Sequence, residues 1–132
     1  AVGSDCRGSV HAVCGLGGER TVENRPLMGR VAAALADTVV LTMDNPRSED
    51  PLTIARQIEE GLKGERLRSH SVILDRKGAV HAALDSAVTG DVVLLAGKGP
   101  ETTMILADGP VPYNDEESVR EWSRTRGIPI LS

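Results

Sequence analysis

Apolar and polar positions alternate along this chain in blocks. Residues 10–14 form a short apolar run that ends in Gly15-Leu16-Gly17-Gly18-Glu19-Arg20. From Pro26 onward the spacing turns helical, with Leu27, Val31 and Leu35 on one face. A second apolar run, residues 38–43, stops at Asp44-Asn45-Pro46-Arg47. Asp50 then reads as an N-cap and Pro51 as the first helical residue, followed by an apolar stripe of Leu52, Ala55, Ile58 and Leu62. Residues 71–74 form a third run, which leads through Asp75 into a helix carrying Val80, Ala83, Leu84 and Ala87. The fourth run, residues 91–96, ends in Gly97-Lys98-Gly99-Pro100-Glu101. Residues 102–106 suggest a fifth strand with residues 107–110 as its turn, and Asn114 and Glu117 fit a capping box for a last helix holding Val119 and Trp122.

Strand and helix in strict alternation predict an α/β fold: a Rossmann-like, mostly parallel sheet with helices on both faces. The fifth run is expected to pair antiparallel at an edge. The 132 residues suit a single domain over 1–132. In such sheets ligands bind beyond the carboxyl ends of the strands. The polar clusters at 15–20, 44–47, 75–76 and 97–101 all fall at those ends, so they should converge on one rim.

Composition narrows the partners. The formal net charge of −4 argues against a nucleic-acid partner. No apolar stretch reaches membrane-spanning length, and the polar start does not read as a signal peptide. Cys6 and Cys14 make neither a disulfide framework nor a zinc spacing, and Cys14, inside an apolar run, is expected to be a buried free thiol in a reducing compartment. With no Phe in the chain, the core must come from Val, Leu, Ile and Ala.

The chemistry lies in the rim. Pro46 restricts its own φ and should push Asn45 toward an extended form, so that a stiff tetrapeptide aims Arg47. A guanidinium can grip a carboxylate through two parallel hydrogen bonds. The same residues also read as a plain strand-to-helix turn with Arg47 in solvent. Lys98 and Glu101 offer one charge of each sign after a buried strand, and Glu101 could receive an ammonium group; a tight turn is the competing reading. The glycines at 15–18 do not have dinucleotide-fingerprint spacing, and nothing matches a Walker-type loop. Arg20 could meet an anion, whereas Arg25 is expected to be structural or solvated. His11, His70 and His81 lack metal-ligand spacing and are expected to be structural or at the surface. No metal site and no catalytic residue is assigned. Two arginines with one glutamate suit a zwitterionic amino acid better than a phosphate.

The segments Gly17-Gly18-Glu19-Arg20, Arg25-Pro26-Leu27-Met28-Gly29, residues 44–51 and Gly97-Lys98-Gly99-Pro100-Glu101 resemble, in order and spacing, the C-terminal domain of the MurE-type Mur ligases. The resemblance implies a cytoplasmic, ATP-dependent amide ligase of peptidoglycan synthesis. Such a ligase activates the carboxylate of UDP-N-acetylmuramoyl-dipeptide as an acyl-phosphate and adds the third amino acid to it. The block at 44–51 accompanies ligases that use meso-diaminopimelate. On this resemblance Arg47 and Arg20 would bind carboxylates of that amino acid, Asp44 and Asn45 would shape its pocket, and Gly97 and Glu101 would hold its distal amino-acid end. ATP and Mg would be held mainly by other domains of the full-length enzyme, as would the UDP-sugar peptide. Lacking a phosphate loop, this chain alone is expected to be catalytically silent. Pro100 stands where the family has His, and the loop at 19–24 carries no lysine. The alternative is a standalone, non-catalytic amino-acid-binding or docking module.

Overall fold

In the computed structural model, which describes residues 8–19 and 22–129, the chain alternates strand and helix as its pattern predicts. The order is β1 (Val10–Cys14), α1 (Asn24–Leu35), β2 (Thr38–Leu41), α2 (Pro51–Glu59) closed by a 3-10 turn (Glu60–Leu62), β3 (Ser69–Val72), α3 (Arg76–Ser86), β4 (Val92–Leu95), β5 (Thr103–Leu106), β6 (Gly109–Pro112) and α4 (Asp115–Arg126). Strands β1 to β4 form a wholly parallel sheet in the order β3-β2-β1-β4. The chain winds outward from β1 to β3, then returns across the sheet to place β4 on the other side of β1. That reversal makes the carboxyl ends of β1 and β4 a topological switch point.

Side chains of period two divide the core. Val10, Ala12, Cys14, Val39 and Leu41 face α1 and α2, where Ala32, Ala33, Ile54, Ala55 and Ile58 cover them. Val13 and Val40 face α3 through Ala79, Val80 and Ala83. No helix among the described residues is long and apolar enough to cross a membrane.

Several expectations are corrected. Helix α1 begins at Asn24, not Pro26, and its Leu27, Val31 and Leu35 stripe is 52%, 47% and 52% exposed. The buried face consists of Arg25, Gly29, Ala32 and Ala33, because small residues let the helix lie close to its neighbours. In α2, Leu52 is exposed and Ile54 takes the core position; Ala55, Ile58 and Leu62 are buried as expected. Strand β3 occupies residues 69–72, so His70 lies within it. The antiparallel strand does not extend the parallel sheet. It pairs with β6, whose Gly109 and Pro110 read as turn residues in the sequence, into a separate ribbon. The caps at Asp50, Asp75 and Asn114 each accept a backbone N–H of the first helical turn, as their residue types require. Cys14 is a buried free thiol, pushed up to about 11 by burial. Cys6 lies outside the described residues.

Candidate functional site

Three loops meet at the switch point. The loop after β1 supplies Leu16 and Gly17, the turn after β2 supplies Asp44, Asn45 and Arg47, and the turn after β4 supplies Gly97 and Glu101. With Asn24 at the start of α1 they line an open cleft of about 340 Å³. Five of the six residues singled out in the sequence therefore share one cavity. Arg20, expected as a second carboxylate contact, lies outside the described residues.

The loops are laced to one another. Arg25, at the base of α1, is 1% exposed. Its guanidinium donates to both Glu49 carboxylate oxygens (2.8 and 3.0 Å), to Gln57 Oε1 (2.6 Å) and to the Gly17 carbonyl (3.4 Å). It is a structural tie, one of the two roles its sequence allowed. Bonding to Arg25, with a further hydrogen bond from the Glu19 amide, holds the Glu49 carboxyl down to about 2. The Gly18 amide donates to the Asn45 carbonyl (2.9 Å), and Ser48 donates to the Glu19 carboxylate.

The turn after β2 differs from its expected form. Asn45 has φ 43° and Arg47 φ 54°, both left-handed, so Pro46 does not impose an extended Asn45. Tertiary bonds decide its conformation. The Asn45 side-chain oxygen accepts the Ile105 amide (2.9 Å), its own amide meets Met104 Sδ (3.0 Å), and the Arg47 amide donates to the Ile105 carbonyl (3.0 Å). The turn is thereby zipped to the outer edge of β5. The Arg47 guanidinium donates through Nη1 to the carbonyls of Gly18 (3.0 Å) and Asn45 (3.4 Å). Among the described residues no hydrogen bond takes its other nitrogens, and Arg47 lines the cleft.

Lys98 is the residue whose importance the sequence concealed. Its side chain is wholly buried, and its Nζ reaches Asn45 Oδ1 (2.7 Å), Glu101 Oε1 (3.0 Å) and Asp44 Oδ1 (3.4 Å). Glu101, expected to stand open to a ligand ammonium, already holds this internal one. The Lys98 hydrogen bond, reinforced by Lys98's charge and a hydrogen bond from the Asn45 side chain, holds the Glu101 carboxyl below the usual range. The signal in the sequence was a lysine between two glycines directly after a strand; strand β4 itself, expected to be buried, has Val92 48% and Leu94 41% exposed. Gly97 has φ 100°, and a Cβ there would lie 2.8 Å from Asp44 Oδ2, so both backbone and space demand glycine.

Arg76 closes the rim from below. It donates in a fork to Asp115 (2.9 and 2.9 Å) and to the carbonyls of Met43 (3.2 Å) and Ala96 (3.1 Å), so it braces the ends of β2 and β4. The histidines serve structure. His11 bridges Thr38 Oγ1 (2.7 Å) and Asp91 Oδ2 (2.8 Å), His81 meets the Ser118 carbonyl (2.8 Å), and His70 meets Glu59 (2.9 Å).

The fold and cleft define an α/β domain whose switch-point pocket presents paired charges of both signs. A family model described as "Mur ligase, glutamate ligase domain" matches residues 2–99, and the chain belongs to that family. Among its relatives, the UDP-N-acetylmuramoyl-L-alanyl-D-glutamate–2,6-diaminopimelate ligase of Caldanaerobacter subterraneus subsp. tengcongensis is 49% identical over 109 residues, 83% of this chain and 22% of that protein. The ligase of the same name from Alkalilimnicola ehrlichii is 49% identical over 119 residues, 90% of this chain and 23% of that protein. A solved structure of such a diaminopimelate ligase superposes with a TM-score of 0.84 at 34% identity, over 92% of this chain and 25% of that one. The chain thus spans about a quarter of the length of the proteins it matches.

Proposed function

We propose that this chain is the amino-acid-binding domain of an ATP-dependent ligase that adds meso-diaminopimelate to UDP-N-acetylmuramoyl-dipeptide. The observation that carries the reading is the cleft itself, where Arg47 and Glu101 stand with Asp44, Asn45 and Gly97 at the carboxyl ends of β1, β2 and β4. The relatives' names support it, since the two curated relatives cited and the solved structure are all called diaminopimelate ligases.

Each residue has a defined task in this reading. Arg47 donates its remaining N–H groups to a ligand carboxylate, and Arg20 supplies a second such contact. Glu101, half-exposed beside Lys98, accepts from the ligand ammonium. Gly97 lets the ligand approach the backbone, and Asp44 and Asn45 wall the pocket. Among the described residues no cluster of three or more His, Cys, Asp or Glu could hold a metal ion. These residues do not fit a Mg-nucleotide site. In the longer ligases, ATP, Mg and the UDP-sugar peptide would be held by other parts of the polypeptide, and this domain would present the amine. On its own it would bind without turnover.

Calorimetric titration of the chain with meso-diaminopimelate, L-lysine and ATP tests this. Diaminopimelate should bind, and Arg47→Ala and Glu101→Ala should each abolish most of that binding, since losing one partner of a charged contact costs about 2–5 kcal/mol. A chain that takes ATP and no amino acid would refute the reading.

A further inference from the structure

Lys98 has no task in that assignment, yet it lies at the centre of the residues that do. Its side chain is 0% exposed, and a buried ammonium persists only where acceptors surround it. An ammonium has three N–H groups, and three acceptors meet it: Asn45 Oδ1, Glu101 Oε1 and Asp44 Oδ1. It therefore has nothing left to offer a ligand directly. It fixes what its partners offer. The Asn45 oxygen receives both Lys98 Nζ and the Ile105 amide, so the side-chain amide cannot flip, and its nitrogen stays toward Glu101. Glu101 is half-exposed, with its Oε1 pinned by Lys98.

Lys98 also sets the charge of the pocket. Among the described residues the formal charges that line the cleft or contact Lys98 are Arg47 and Lys98 against Asp44 and Glu101, which balance, and the carboxylate contact assigned above to Arg20 adds no negative charge to them. A balanced pocket favours a ligand that carries equal numbers of both charges over one with a surplus cation, because surplus charge buried there goes uncompensated. We propose that Lys98 is the positioning and specificity-setting residue of this pocket: it orients Asn45 and Glu101, and by neutralising one carboxylate it turns the site toward net-neutral amino acids and away from net-cationic ones.

The inference rests on the amino-acid-binding reading, and NMR titration of the chain separates the two. The ligands are meso-diaminopimelate, with two charges of each sign, and L-lysine, with one surplus positive charge. The unaltered chain should prefer diaminopimelate. Lys98→Gln leaves one acid unpaired, and should weaken diaminopimelate binding about tenfold or more while affecting lysine far less, so the preference narrows or inverts. Lys98→Gln combined with Asp44→Asn restores the balance and leaves no unpaired acid; the preference should return, and this variant carries the test if the single one does not fold. Preference unchanged in Lys98→Gln, or both ligands weakened by one common factor in both variants, would reduce Lys98 to a packing role and overturn the inference. An unaltered chain that binds neither amino acid would overturn the functional reading and this inference with it.

Discussion

Glu19, Asn45 and Arg47 are the non-glycine residues with positive φ among the described residues, and all three flank the cleft. Left-handed backbone at such residues costs about 1–3 kcal/mol each, so the surrounding bonds must over-determine it. Here they do: the Ile105 amide and carbonyl, the Gly18 amide and Ser48 each take one partner in these turns. Away from the rim Asp91 is held by three hydrogen bonds. It accepts the Ser9 amide (2.8 Å), His11 Nε2 (2.8 Å) and the Val88 amide (3.1 Å), which bring its carboxyl from an ordinary 3.8 down to about 2. A depressed carboxyl contributes stability that is complete above the unfolded value and is lost as pH falls through the folded one. Urea midpoints should therefore drop between pH 4 and pH 2, and Asp91→Asn should flatten that drop; an identical pH dependence in the variant would refute the assignment. Residue types were readable where local chemistry governs, as at the caps and Cys14. Asn45 was misread because Pro46 biases it locally while Ile105, Lys98 and Gly18 act on it from far along the chain.

Among the elements, α1 meets α2 and its closing 3-10 turn through glycines on both sides. A Cβ at Gly29 would sit 2.1 Å from the Ile58 carbonyl oxygen, a contact no rotamer can relieve. Gly29→Ala should destabilise the domain by about 1–3 kcal/mol, as overpacking does, with the loss visible in chemical denaturation. The same close approach explains why the helix's buried face escaped the sequence reading. Two stripes of α1 are apolar, one of Leu27, Val31 and Leu35 and one of Gly29, Ala32, Ala33 and Ala36. Periodicity shows both equally and favours the bulkier, whereas packing selected the smaller. Strand β6 escaped for another reason: it contains Pro110 and Pro112, and proline is disfavoured within strands, while Gly109 and Pro110 read as the turn after the fifth strand.

For the molecule as a whole, the buried pair Arg76–Asp115 joins the parallel sheet to α4. Its side chains are 1% and 7% exposed, and Tyr113 adds a hydrogen bond to Asp115 (2.7 Å). Asp115→Ala strands a buried guanidinium and should cost about 3–5 kcal/mol. Trp122, the sole tryptophan, sits on α4 and donates to Asp85 of α3 (2.8 Å), so its fluorescence should report α4 loosening during urea unfolding of the variant. The gathering of loops 15–19, 42–50 and 96–101 at one rim was legible because strand order in an α/β sheet dictates it; which charges those loops bury against one another was not, because burial of Lys98 depends on all three closing together. The topology has one more consequence. Strand β1 lies between β2, its successor in the fold, and β4, which follows only after most of the chain. A ribosome delivers β1 and β2 long before residue 92, so during synthesis the strand that becomes the middle of the sheet is an open edge. Until β4 arrives, that edge is the part of the nascent chain most exposed to pairing with a neighbouring polypeptide.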